Sequence, residues 1–391
     1  MERFDVVIIG GAAVGSAAAY FLSAHAGFRG SVLVLEPDPT YTWCATTRSV
    51  ASVRHQFSTP GNIRMSQFAT DFIQRIGEHL SLDGVAPEVG FRAAGYLFLA
   101  GAQGLATLQS NHAVQRACGV DAALLSPAAV AQRFPWLRVD DLAGASLGLS
   151  GEGWLDAHSL MQAFRRKAQA QGVVYRAARV SALLRSGATV TAVQLADGGR
   201  VSCASVINAA GTGATALART AGIVLPVQSR KRCVFPFHSP EPAPRCPLVI
   251  DTGGVYFRPE GTGFLCGVAL PEDQDPECFD FEVQHELFED VLWPALAHRV
   301  PGFEAARAGK PWAGHYDVNT LDHNLILGAH PALDNLLFAN GFSGHGLQQS
   351  PAVGRALAEL VVARRFETLD LSEFGWQRVL DGRPMREMNV V

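Results

Sequence analysis

The residues with the clearest chemical potential form a turn of small residues, Gly10-Gly11-Ala12-Ala13-Val14-Gly15, with one acid, Glu36, downstream. Gly10 permits a tight turn, and residue 12 must be small so that the backbone can approach a pyrophosphate. Gly15 lets the following helix pack close to the preceding strand. The start of that helix offers unpaired N–H groups and a positive dipole end to phosphates. Glu36 is placed to accept hydrogen bonds from ribose hydroxyls. The chemistry is dinucleotide binding. Ala12 stands where the fingerprint has its middle glycine, a departure expected to shift the phosphates slightly. The turn alone does not choose between a flavin and a nicotinamide dinucleotide.

A second loop repeats this logic near the other end of the chain. The apolar run Leu336-Leu337-Phe338-Ala339 leads into Gly341-Phe342-Ser343-Gly344-His345-Gly346. Ser350 and Pro351 then read as an N-cap and a first-turn proline. Val353, Leu357, Leu360 and Val361 give the following helix an apolar face. A helix end aimed at this loop would stabilise the negative charge of a reduced flavin.

The elements that must hold these loops are legible from periodicity. Val6-Val7-Ile8-Ile9 and Val32-Leu33-Val34-Leu35 are continuous β-branched and aliphatic runs, as expected of parallel strands buried on both faces. Ser16 to Ser23, rich in alanine and leucine, lies between them as a helix. Phe68, Phe72, Ile76 and Leu80 recur four apart, which predicts one helix over Asn62 to Leu80. Leu160 to Gln171 reads as another. Ala93 to Leu99 and Leu124 to Pro135 read as a small inserted region. Val190 to Leu195 and Val201 to Val206 flank Asp197-Gly198-Gly199, a hairpin signal. Val206 to Gly211 is a buried strand ending in a small-residue turn, and Pro226 to about Gly267 is strand-like.

Composition bounds the answer. A chain of 391 residues exceeds what one core usually serves, so two domains are expected. With 48% hydrophobic and 17% charged residues it is too apolar for disorder. A net charge of −4 with no basic stripe argues against nucleic acid as a partner. No apolar run approaches the ~20 residues of a membrane span. The early acids Glu2 and Asp5 argue against a signal or transit peptide, so a cytoplasmic location is expected. The seven cysteines contain no C-x-x-C pair, so no metal site is expected.

In chain order, the Gly10–Glu36 unit, Asn208-Ala209-Ala210-Gly211, Tyr256-Phe257-Arg258-Pro259 and the Gly341–Gly346 loop resemble the D-amino-acid oxidase superfamily of FAD-dependent amine oxidoreductases. Within it the chain is similar to the sarcosine oxidase-like branch. It is most similar there to the FAD-dependent oxidoreductase domain-containing proteins, which include a mitochondrial complex I assembly factor. That closer similarity rests on Arg133-Phe134-Pro135-Trp136, Gly151-Glu152-Gly153-Trp154, Trp312-Ala313-Gly314-His315-Tyr316-Asp317 and Gly344-His345-Gly346-Leu347-Gln348-Gln349. The resemblance covers almost the whole chain.

The resemblance implies an α/β fold: a Rossmann-like FAD-binding domain (residues 1–90, 145–222 and 316–391) with an interleaved mixed β-sheet substrate domain (91–144 and 223–315). It implies FAD contacts at Gly10, Ala12, Ala13, Val14, Gly15, Glu36, Thr46, Thr47, Arg48, Val180, Ala210, Gly211 and Gly344 through His345 and Gly346 to Leu347. Relatives that tether flavin use a cysteine in the segment matching 314–322, or an N-terminal histidine whose place is taken by Arg48. Neither residue is present here, so noncovalent FAD is expected. A lysine that promotes oxygen reaction is replaced by Leu265, and a substrate-binding lysine by Gln348. Arg54 matches an arginine that binds the substrate carboxylate. His55 is a candidate proton acceptor, and Arg258 a second carboxylate anchor. Tyr256 lies with Arg258 in the strand expected beside the flavin, and His315, Tyr316 and His345 are pocket candidates. The expected activity is oxidation of a secondary or N-substituted amino acid by hydride transfer to FAD. The expected electron acceptor is a quinone, flavoprotein or iron–sulfur protein rather than oxygen, with room for a partner subunit. The competing expectations are an assembly role with FAD mainly structural, or one subunit of a hetero-oligomeric dehydrogenase.

Overall fold

The computed structural model describes residues 2–388. Two sheets organise it. In the first, strand Glu2–Ile9 lies between Val32–Glu36 and Arg200–Asn208, all parallel. Val174–Ala177 extends one side and Leu336–Asn340 the other, also parallel, and Ile326–Ala329 closes that edge antiparallel. The continuous apolar runs have a simple cause. Val6 and Ile8 face one core and Val7 and Ile9 the opposite one, each at most 4% exposed. A strand covered on both faces has no polar side to display.

Two helices cross one face of this sheet. Ala13–Ala24 follows the first strand, and Gly346–Val362 follows Leu336–Asn340. Small residues set how close they come. A Cβ at Gly354 would lie 2.6 Å from the Ala17 carbonyl carbon. Both helices therefore begin at the same edge of the sheet, outside the carboxyl ends of parallel strands, where α/β proteins bind ligands.

The final helix starts earlier than its Ser350-Pro351 signal suggested. It begins at Gly346, with Pro351 inside it. Pro351 has no N–H to give the Leu347 carbonyl, which instead accepts from Ser350 Oγ at 2.8 Å. The serine repairs the break that the proline makes. The helix expected over 62–80 is two helices, Pro60–Gln74 and Ile76–Leu80, interrupted at Arg75 (φ −106°, ψ 25°).

The second sheet is mixed. Its order is Arg307–Ala308, Val227–His238, Gly263–Gly267, Tyr256–Glu260, Leu248–Ile250, Tyr96–Ala100, Gly144–Gly148 and Ala122–Leu125, with Trp312–Asn319 also paired to Val227–Val234. The region read as a small insertion is thus one flank of this sheet. Strand Gly144–Gly148, all but its first residue placed with the cofactor domain by the expected boundary, pairs with Tyr96–Ala100 here. Trp312–Asn319 runs through the expected boundary at 315/316 as one strand.

Period-2 alternation divides this sheet's faces. Leu97, Leu99, Phe235, Phe237 and Phe257 pack on the helix Trp293–Arg299 side. Tyr96, Phe98, Leu248 and Ile250 form the opposite face, toward the first sheet. No helix of the described residues is long and apolar enough to cross a membrane.

Because Gly354 meets backbone, a side chain there must push the two helices apart. Gly354→Val is expected to cost about 2–3 kcal/mol through overpacking. It should also lower retention of the expected FAD, since both helix starts move. Thermal unfolding and the flavin-to-protein absorbance ratio check both effects.

Candidate functional site

A cleft of about 620 Å³ runs along the edge where the two helices begin, lined by Ala12, Ala13, Val14, Gly211, Gly346 and Leu347 among others. The glycine turn is built as its spacing implied. Gly10 has φ +98°, and a Cβ there would sit 2.3 Å from the Ala209 carbonyl oxygen. A Cβ on Gly15 would sit 1.8 Å from the Gly10 oxygen. Ala12 has φ −70°, ordinary for an L-residue, so alanine in place of the middle glycine carries no backbone strain. Gly211 has φ +51° and nothing within 4 Å of where its Cβ would be, so this turn is open on the cleft side. Glu36 accepts from Gly11 N (2.8 Å) and Asp38 N (3.0 Å), and burial raises its pKa. Thr46 Oγ1 accepts from Ala13 N at 3.3 Å, tying the 46–48 loop to the helix start. Two helix ends, two glycine-dependent backbone turns and an apolar lining fit a dinucleotide such as FAD.

A second cavity of about 470 Å³ adjoins the first and shares Tyr316 and Gly344 with it. Its walls carry Arg54, Tyr96, Tyr256, Tyr316, His345 and Gln348. Arg54 is 3% exposed. Its guanidinium lies 4.5 Å from the Phe57 ring centroid and 5.4 Å from that of Phe98. NH2 lies 3.1 Å from His345 Nε2, and Nε has no partner among the described residues. No carboxylate of the described residues forms an ion pair with it. An arginine only donates, so His345 Nε2 must be the lone-pair acceptor. Burial, then the Arg54 charge, holds the His345 pKa well below its usual value, in keeping with a neutral ring. Gln348 Oε1 accepts from Arg54 N at 2.9 Å, while its amide nitrogen has no partner among the described residues. The cavity thus offers a charged fork and an amide donor to an anion, with tyrosine and apolar surface around them.

Several expected site residues lie elsewhere. His55 does not line the cavity. Its Nε2 is 2.8 Å from Thr70 Oγ1, which itself donates to Gly151 O, and burial lowers its pKa to about 4. It is a structural histidine, not a base facing substrate. Arg258 is also committed elsewhere. It donates twice to Val50 O (3.0 and 2.9 Å), once to Pro259 O (2.8 Å), and pairs with Glu260. Its fork is spent on backbone, so it is no carboxylate anchor. Thr47 Oγ1 donates within its own loop to Tyr41 O at 2.6 Å. Arg48 donates to Thr42 O and Ala313 O and stacks on Trp43 and Phe281. Val180 is buried in the core with Val7 and Leu35. Ala210 packs at the edge of the same core, beside the open Gly211. Leu265 is buried in register with Arg258, on the sheet face that carries Tyr256.

Two carboxylates that sequence reasoning did not single out hold the site together. Asp317, 8% exposed, accepts Gly341 N at 2.8 Å through Oδ2, and its backbone oxygen accepts Ser343 N at 3.1 Å. Burial raises its pKa to about 6. Glu152, fully buried, accepts from the 54–56 turn on the other side of the cavity. Their signal was present in the quoted motifs, where each acid sits among glycines or aromatics, but a single acid has no period. His315 Nε2 is buried without a partner and its ring lines the larger cleft, held edge-on by Phe281 at 4.5 Å between centroids. No cluster of three His, Cys, Asp or Glu among the described residues could hold a metal.

Comparison with known proteins agrees with this geometry. The model of the DAO family, FAD dependent oxidoreductase, matches residues 5–360. FAD-dependent oxidoreductase domain-containing protein 1 of Xenopus laevis is 42% identical, covering 100% of this chain and 85% of its own length. Sarcosine oxidase subunit beta of Rhizobium meliloti (strain 1021) is 26% identical over 92% of this chain and 84% of its own. Among solved structures, L-proline dehydrogenase from P. horikoshii superposes with a TM-score of 0.87 at 24% identity, over 98% of this chain and 100% of that one. That last likeness is one of fold.

Asp317 gives a linkage test. Its folded pKa, about 6, stands above the ordinary 3.8, so its stabilising contribution is complete below pH 3.8 and is lost as pH rises to about 6. The stability of the wild type relative to Asp317→Asn should therefore fall between pH 4 and 6 and be flat above 7. Urea unfolding of both proteins across that range measures it; a flat difference contradicts the buried, proton-binding Asp317.

Proposed function

The chain belongs to the DAO family of FAD-dependent oxidoreductases, and from that premise we propose that it oxidises a small amino acid bearing a secondary or N-substituted amine. The observation that carries this reading is Arg54. A buried guanidinium with no acid partner is costly unless a ligand supplies the anion. A carboxylate matches the fork by charge and geometry. Gln348 adds a neutral donor beside it. Tyr96, Tyr256 and Tyr316 then surround the rest of the ligand, and their faces favour an amine with alkyl substituents.

FAD is held noncovalently by the Gly10–Gly15 turn, Glu36, Thr46, Gly211 and the Gly344–Leu347 helix start. When bound, it supplies the redox chemistry by accepting hydride from the carbon next to the substrate nitrogen. The protein's own residues do the rest. Arg54 and Gln348 fix the carboxylate, which leaves the α carbon directed at the cleft that Tyr316 separates from the cavity. The start of the final helix places positive potential at the same edge, where negative charge builds on reduction. No side chain lining the cavity is a free base: the His345 lone pair is taken by Arg54, and burial raises the tyrosine pKa values. The amine therefore loses its proton to water before it reacts, and the imine product hydrolyses in solution. Position 265 provides no cation to favour oxygen, so electrons pass to a quinone, a flavoprotein or an iron–sulfur protein.

Anaerobic mixing of the FAD-loaded protein with N-methyl, cyclic and opine amino acids tests the reading. One class should bleach the oxidised flavin band. Arg54→Gln should reduce that reduction efficiency at least 100-fold, a loss of about 3 kcal/mol or more of ion pairing and hydrogen bonding. Bleaching unaffected by the substitution, or by no amine of any class, counts against the proposal. With no enzyme base, kcat/KM should rise with pH up to the ammonium pKa of the substrate itself. A plateau set by the protein instead indicates a catalytic base.

A further inference from the structure

Arg54 lies at the mouth of a turn that something must hold. Glu152 does so without touching the cavity. Its Oε1 accepts from His55 N at 2.5 Å and from Gln56 N at 3.0 Å. Its Oε2 accepts from Gln56 Nε2 at 2.8 Å, and that amide also donates to Tyr96 O at 3.0 Å. One carboxylate thus collects three N–H donors from the two residues that follow Arg54, and through Gln56 ties them to the wall strand. On the other side Gln348 takes the N–H of Arg54 itself. Three consecutive backbone N–H groups are pinned from opposite directions, which restrains the Arg54 Cα.

The surroundings are shaped around this acid. A Cβ on Gly148 would lie 1.7 Å from Glu152 Oε2, and one on Gly151 would lie 2.6 Å from the His55 ring. Gly151 and Gly153 have φ +71° and +154°. Only glycines there allow the carboxylate and the 54–56 turn to pack this close. Glu152 is fully buried; burial raises its pKa to about 7, against the lowering effect of its hydrogen bonds from Gln56 and His55 and of the Arg54 charge. The pair makes no direct contact, so the guanidinium keeps its fork free.

We propose that Glu152 is the positioning residue of the carboxylate subsite: it fixes the turn that aims Arg54 without taking the fork that the ligand needs. The inference rests on the reading of Arg54 as a carboxylate anchor. Glu152 acts through Arg54, so its loss should cost recognition of the ligand's charge rather than the shape of the cavity.

The test uses the FAD-loaded protein and two non-oxidisable probes of like shape, propanoate and propanamide, titrated against the oxidised flavin spectrum. The wild type should bind propanoate at least tenfold more tightly than propanamide, and Arg54→Gln should abolish that preference. Glu152→Gln, which keeps the size but puts an amide N–H₂ where one or two N–H donors point, should weaken propanoate at least tenfold and leave propanamide unchanged. With a substrate in hand, it should raise KM far more than it lowers kcat. Glu152→Asp keeps the charge one methylene short and should weaken propanoate by a smaller factor. A Glu152→Gln protein that retains the preference overturns the inference while leaving Arg54 intact as anchor. A wild type without preference, or an Arg54→Gln protein that keeps it, overturns the underlying reading instead. If Glu152→Gln fails to retain FAD, Glu152→Asp carries the test, and propanoate affinity equal to the wild type then overturns the proposal.

Discussion

A buried arginine without an acid beside it is the constraint around which this structure is arranged. Removing a guanidinium from water costs several kcal/mol unless charge and hydrogen bonds are returned to it. Here the returns are partial. Phe57 and Phe98 give it aromatic faces, and His345 gives one lone pair. Glu152, whose pKa burial raises to about 7, adds a negative charge above that pH and makes no hydrogen bond to the fork. A site with partly met needs at one atom, Nε of Arg54, is prepared for an anion rather than satisfied without one.

Everything near Arg54 follows from keeping it charged, dry and still. Two buried acids do this by holding backbone, Glu152 on the 54–56 turn and Asp317 on the glycine loop at 341–343. The same loop delivers His345 to Arg54 and Gln348 to its backbone. It also starts the helix whose positive end faces the cofactor cleft. Substrate recognition and cofactor electrostatics are therefore set by one short segment, packed against the first helix through Gly354.

How much of this was legible depended on whether a residue's role is periodic or local. The first strand, the glycine turn and Glu36 were readable because spacing alone imposes them. The Gly341–Gly346 loop was readable for the same reason, though its helix start was misplaced: proline normally marks a first turn, and Ser350 Oγ replacing the missing hydrogen bond leaves no periodic trace. Arg54 reached the cavity, whereas its neighbour His55 and the distant Arg258 did not. Their side chains had nearer partners, Thr70 for one and the Val50 carbonyl for the other, which only the folded chain brings together. Glu152 and Asp317 were in plain view within motifs, yet acting through backbone N–H groups of remote loops gives a carboxylate no signature in sequence. The flank at 93–135 reads as an insertion in sequence because its strands pair with segments farther along the chain.

The claim on which the account turns is that Arg54 and Gln348 receive a carboxylate. A crystal structure of the FAD-loaded protein soaked with propanoate tests it most directly. The account predicts a carboxylate within hydrogen-bonding distance of the Arg54 guanidinium and the Gln348 amide nitrogen, with its alkyl carbons among Tyr96, Tyr256 and Tyr316. Propanoate bound elsewhere, or an Arg54 turned to a protein carboxylate once FAD is present, would contradict it.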